Sequence, residues 1–201
     1  MNMAIDVVRA DILGGSGRRA AAALLARGFA QDFTAFSRDP DRLTAAFEPI
    51  IRPERFYLAL HDGEPVGITT LTEGAQEVFA PRWAPLRRHL GVLRGSLMFL
   101  VVWYAFMGND PDATAGRANL GFVATAPEHR GKGVATELLR HLVQTSGHQV
   151  HVLRDIKDTN EAALNVYRSF GFAEYTRRTA HFARRAGFSA YISMKRDIAV
   201  T

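Results

Sequence analysis

The sequence predicts an α+β fold in a single domain, and three observations carry that reading. Strand-like and helix-like segments alternate through the C-terminal half, a hairpin pattern precedes them, and a glycine-bearing stretch, "PEHRGKGVATELL" at 127–139, joins a strand pattern to a helix pattern. The chain has 201 residues, 47% of them apolar, enough to bury one sizeable core. No stretch reads as a linker, internal repeat or low-complexity tract. Residues 1–201 are therefore expected to form one domain, with a helical insertion at about 81–107.

Each element has a local reason. "AIDVVRA", from Ala4 to Ala10, reads as a first strand. "GGSG" at Gly14 to Gly17 reads as a turn ahead of an Ala/Leu-rich helix from about Arg18 to Gln31. A phosphate-cradling loop can share that composition, but the Gly-Lys-Ser/Thr ending is missing. A second helix starts near Pro40, with Asp39 as its cap. Phe56 to His61, a turn at Asp62-Gly63, and Val66 to Thr72 make a β-hairpin.

From Pro81 to Met107, Trp83, Leu86, Leu90, Leu93, Leu97, Leu100 and Tyr104 recur every three or four residues, as along one face of a long helix. Arg87, Arg88 and Arg94 fall off that stripe. Beyond Leu97 the apolar pattern fills in on all sides, with Phe99 and Trp103 among its members, predicting burial by more than one surface. Core packing, an acceptor-pocket wall and a homodimer interface all fit 97–107. "GNDPDATAGR" follows as a loop and "RANLGFVATA" as a strand. A helix from Lys132 to Thr145, the strand "HQVHVLRDI", a helix from about Asn160 to Phe170, and closing strands "GFAEYT" and "FSAYISMK" complete the order.

Composition excludes several classes. Without cysteine there are no disulfides, thiol nucleophiles or thiolate metal sites. The net charge of +5 comes almost wholly from arginine, since lysine occurs only at Lys132, Lys157 and Lys195. The basic pairs Arg177-Arg178 and Arg184-Arg185 lack interleaved stacking aromatics, so no nucleic-acid partner is expected. His148 and His151, three apart in a strand pattern, should point to opposite faces, and no carboxylate spacing completes a metal site. No basic-then-apolar leader opens the chain. Its most apolar run, Ser96 to Met107, is shorter than the about 20 residues a membrane span needs, so a cytoplasmic protein without a membrane partner is expected.

The glycine-bearing stretch carries the chemistry. Glycine costs about 1 kcal/mol against alanine inside a helix, so Gly131 and Gly133 at a helix start need another reason. A helix N-terminus offers unpaired N–H groups and the positive end of its dipole to an anion. Glycines let the backbone approach a phosphate closely, and Arg130 and Lys132 add charge. Walker-type loops fail because Gly133 follows Lys132 where a hydroxyl residue is needed, and a dinucleotide fingerprint is a weak match, with Thr136 where the third small residue belongs and no acidic-ended βαβ unit following. Arg-x-x-Gly-x-Ala, met by Arg130, Gly133 and Ala135, remains.

That pattern, together with "NEAALNVYRSFGF" at 160–172, resembles the GNAT superfamily of acyl-CoA-dependent N-acyltransferases. The likeness covers the whole chain in outline and about residues 117–176 in motif detail. It implies α/β/α layers: a mixed, mostly antiparallel central sheet splayed around an acyl-CoA site and flanked by helices. It also implies acetyl-CoA as donor, without a metal, and a small-molecule or peptide amine as acceptor. By the same likeness the pantetheine arm runs beside Val123, Ala124 and Thr125, and the pyrophosphate sits on Arg130, Gly131, Lys132, Gly133, Val134, Ala135 and Thr136. Asn160 matches the asparagine that contacts the donor, though it also suits a helix cap. Tyr167 matches the general acid that protonates the departing thiolate, with a core tyrosine as the alternative. Gly121 stands where many relatives carry the basic glutamate. Asp155, five residues before Asn160, and Glu73 are the remaining candidates for the base. An acyl-CoA-binding regulatory protein with little turnover is the alternative function that Gly121 keeps open.

Overall fold

In a computed structural model, residues 4–107, 116–180 and 187–198 are described. Most of the loop predicted after Met107, as well as His181 and the Arg184-Arg185 pair, lies outside the described residues. Among the described residues seven strands form one sheet in the order β1-β2-β3-β4-β5-β7-β6. They are β1 (Asp6–Arg9), β2 (Phe56–His61), β3 (Glu64–Glu73), β4 (Arg117–Thr125), β5 (Val150–Lys157), β6 (Ala173–Thr179) and β7 (Ala190–Asp197). Only β4 and β5 run parallel; the other neighbours pair antiparallel. A parallel pair needs a crossover, and helix α5 (Val134–Thr145) supplies it. Helices α1 (Gly14–Gly28), α2 (Pro40–Phe47), α3 (Trp83–Leu90) and α4 (Val92–Phe106) contribute to one core cluster with Phe56, Leu58 and Ile68 of the sheet. Helices α5 and α6 (Glu161–Ser169) contribute Leu139, Leu142, Leu164 and Tyr167 to another, with Leu120, Leu153 and Ile192. The layered, mostly antiparallel architecture agrees with the expected fold.

Local chemistry explains where most elements start and stop. Asp39 Oδ1 accepts the N–H groups of Asp41 at 2.9 Å and Arg42 at 3.2 Å, capping α2 just before Pro40. Asp62 and Gly63, at φ 51° and 82°, make the two-residue turn between β2 and β3.

Three expectations need correction. "GGSG" is no turn: it forms the first turn of α1, which ends at Gly28 rather than Gln31. The chain rises into it through a 3-10 turn, Ala10–Leu13, so tightly that a Cβ on Gly17 would lie 2.1 Å from the Ala10 carbonyl oxygen. The long helix at 81–107 is two helices, broken at Gly91 with φ 82°. The break resets the rotational phase. Leu86 and Leu90 face the core, whereas Leu93, Leu97, Leu100 and Tyr104 are 86, 50, 62 and 92% exposed. Gly95, Met98 and Val102 carry the buried side of α4, so its second half is buried on one side only.

Candidate functional site

The candidate site lies where β4 leaves β5. Their pairing runs from Arg117 opposite Val150 to Leu120 opposite Leu153 and stops there. On its other edge β4 stays paired with β3 out to Thr125, but with a bulge: Gly121 is opposite Thr70 and Ala124 opposite Ile68. Phe122, at φ 47°, absorbs the extra residue. The Thr69 hydroxyl donates to the Gly121 carbonyl at 3.0 Å and secures the bulge from the β3 side. Past the parting, the β5-facing edge of Val123, Ala124 and Thr125 is unpaired within the sheet, the arrangement that accepts an extended amide-bearing ligand as an added strand. The bulge also changes side-chain parity. Leu120 and Val123 pack in one cluster, while Phe122 and Ala124 pack in the other.

The loop after β4 leads into α5. Gly131 and Gly133 have φ 74° and 84°, and a Cβ built on either meets no atom within 4 Å. Among the described residues the space above them is open and no side chain caps α5 at Gly133. First-turn N–H groups are thereby left without a side-chain partner, the condition an anion site requires. Arg130 and Lys132 are exposed beside them. Val134 differs from the others: its side chain is buried under α5 against Gly67, so only its backbone is available. A cleft of about 340 Å³, lined by Arg27, Ser37, Arg38, Leu43, Pro127 and Glu128 among others, opens between the start of α2 and the turn after β4.

The candidate catalytic residues divide between two places. Tyr167 is 6% exposed and packs with Leu120, Leu153 and Val123, at the parting itself. Burial alone pushes its phenol well above the ordinary value, which keeps it protonated. Asp155 lies two residues past the last β4–β5 pair, at φ 52°, exposed and ion-paired to Arg178 at 2.6 Å. Asn160 caps α6, with Oδ1 accepting the Ala163 N–H at 3.3 Å, and is exposed. Glu73 is elsewhere. It pairs with Ala118 at the other end of β4, about 20 Å along the strand from Ala124 at roughly 3.3 Å per residue. There it meets His148 Nε2 at 3.2 Å and accepts the Gly116 N–H at 3.2 Å, and these bonds hold its carboxyl below the usual range. A side chain on Gly121 would fall 2.8 Å from Thr70 Oγ1, a packing reason for glycine at that position.

The two histidines do not point apart as expected, because His148 precedes β5 and escapes its alternation. Their rings stand 6.3 Å apart, and each has its own partner: Glu73 for His148, and Ser146 Oγ at 2.8 Å for His151. Sequence reasoning missed the aromatic cluster behind the bulge. Phe29 from the end of α1, Phe79, and Phe106 from the end of α4 surround the Phe122 ring at 5.5, 5.6 and 5.5 Å. A left-handed phenylalanine has no compositional signature, and its neighbours come from distant segments.

A profile of the acetyltransferase (GNAT) family matches residues 22–172. No curated protein matches by sequence. Among solved structures, the ribosomal-protein-S18-alanine N-acetyltransferase of Escherichia coli is similar with a TM-score of 0.58 and 17% identity, over 98% of this chain and 96% of that one. An acetyltransferase of Corynebacterium glutamicum aligns with a TM-score of 0.63 and 20% identity, over 100% and 99%. YncA of Salmonella typhimurium, solved with its cofactor acetyl-CoA, gives 0.55 and 16%, over 100% and 96%. These likenesses establish a shared fold.

Proposed function

The chain belongs to the acetyltransferase (GNAT) family, and from that premise we propose that it transfers an acetyl group from acetyl-CoA to a primary amine by direct attack in a ternary complex. The observation that carries the proposal is the parting of β4 from β5 past Leu120, with the glycine-lined start of α5 following the same strand. The residues present fit the donor. The free edge at Val123 to Thr125 suits the two amides of a pantetheine arm, and the open loop from Arg130 to Thr136 suits a pyrophosphate. Bound there, acetyl-CoA supplies an activated thioester.

The chain's own groups then have assigned work. A backbone N–H beside Val123 polarises the thioester carbonyl. Asp155, oriented by Arg178, draws in the ammonium and takes its proton, directly or through a water. The amine nitrogen forms a bond to the acetyl carbon, the carbon–sulfur bond breaks, Tyr167 donates a proton to the leaving sulfur, and the second proton of the attacking nitrogen passes through water to restore the phenol. Burial raises the phenol's pKa, so the proton stays on Tyr167 until negative charge develops on the sulfur. Glu73 has no part in this scheme, and Asn160 contributes by fixing the start of α6 beside the donor. The Phe29, Phe106 and Phe122 rings provide an apolar wall for an acceptor with one amine and a hydrophobic body.

Calorimetric titration of acetyl-CoA into the wild type and Gly133→Asp tests the proposal. One-to-one binding that the variant loses while remaining folded is expected. A folded wild type that does not bind would overturn it. Binding without amine-dependent thiol release across an acceptor panel would support a regulatory acyl-CoA-binding protein instead, a reading favoured by the missing acid at Gly121.

A further inference from the structure

The outward face of α4 is apolar. Leu93, Leu97, Leu100 and Tyr104 run along it on the side opposite Met98 and Val102, flanked by Val101 and Trp103. A helix hydrophobic all round belongs in an interior, and α4 has only one covered side. Those six side chains leave roughly 800 Å² open, taking ~200 Å² for a fully exposed large side chain. Monomers seldom expose a patch above ~300–600 Å², whereas a standard interface covers about 800 Å² on each partner.

The order of the residues says what covers the face. The spacings along the seam are four, three and four, so it reads the same in both directions. Set antiparallel against a second α4, Leu97 meets Leu100 of the other copy and Leu93 meets its Tyr104, each contact occurring twice. This is the self-complementarity that a two-fold interface demands, in the alternating three- and four-residue seam of a helix pair. Charge selects the same direction. From Val78 to Met107 there are four arginines and no carboxylate, and among the described residues none of the four makes an ion pair. A parallel pair would stack Arg94 on Arg94. The antiparallel pair sets Arg94 beside the C-terminal turn of the other helix, whose dipole end is negative.

We propose that the outward face of α4 docks a second copy of this chain, antiparallel and about a two-fold axis between Leu97 and Leu100. Sedimentation of the wild type at micromolar concentration is expected to give twice the 22.2 kDa chain mass. Leu97→Glu should weaken the dimer at least a hundredfold. Because that side chain faces outward, its circular dichroism should be unchanged, and Leu100→Ser provides a second, milder variant. The absence of native cysteine permits a test of direction. Leu97→Cys mixed with Leu100→Cys should oxidise to a cross-linked dimer faster than either variant alone. A monomeric wild type overturns the proposal, as does a dimer insensitive to both substitutions. Faster cross-linking of each variant with itself overturns the antiparallel arrangement. A monomer that co-sediments with anionic phospholipid vesicles overturns it in favour of a bilayer surface.

Discussion

Lowering the pH from 7.5 to 5 should cost this protein about 2 kcal/mol through His151 alone. The ring is 0% exposed, with Nε2 against Ser146 Oγ and Nδ1 buried without a partner. Burial, with His148 and Arg196 nearby, lowers its pKa from 6.5 to about 4. An unfolded chain binds a proton at His151 below pH 6.5, and the folded chain declines it until about pH 4. Stability is therefore unaffected by this group above 6.5, falls as the pH drops between 6.5 and 4, and levels off below that. At 1.36 kcal/mol per unit the full loss is about 3 kcal/mol, of which about 2 is reached by pH 5. Urea unfolding followed by tryptophan fluorescence at pH 7.5, 6 and 5 measures it, with His151→Gln beside the wild type. Other titrating groups are common to both proteins, so the difference in slope isolates the one ring. Parallel pH profiles would refute the reasoning, since they would mean that the buried imidazole gains its proton at no cost in the folded state.

Three other outcomes are expected. A Cβ on Gly67 would lie 2.5 Å from Val134 Cγ1, so Gly67→Ala should destabilise by about 1–3 kcal/mol in chemical unfolding, and Val134→Ala should recover part of that loss in the double variant. Asp39→Ala removes both cap bonds of α2 and should cost about 1 kcal/mol, read as a melting temperature lower by about 2–4 °C. Tyr167→Phe should lower kcat about a hundredfold with acetyl-CoA affinity unchanged. Full activity in that variant would remove the acid role and leave a core aromatic.

Legibility in the sequence followed the range of the interactions. Asp39 before Pro40, Asp62-Gly63 between strand patterns, and Gly131 and Gly133 before a helix act within a few residues, and each was readable. Gly91 defeated the periodicity argument for a geometric reason. The apolar spacing continues through it, but a glycine at φ 82° changes which way the helix faces, so the stripe that covers the core before the break meets solvent after it. At the candidate site, Tyr167 and Asp155 come to the parting of β4 and β5 and the glycine-bearing loop follows the same strand, whereas Glu73 lies at the other end. Its position at a strand end says nothing about which end of β4 it joins, and the antiparallel register decides that. The Arg178 partner of Asp155 and the rings around Phe122 depend on contacts between distant segments, beyond the reach of spacing.

The two margins of β4 suggest a division of labour for protein engineering. Toward β3 the strand is paired from Ala118 to Thr125 on both sides of the bulge that Thr69 secures; toward β5 it is fastened only as far as Leu120. Substitutions on the first margin should register chiefly in thermal resistance, and those on the second in what the crevice accepts. Under the proposed function, libraries aimed at new acyl donors are drawn from the unfastened margin while the laced one is held constant.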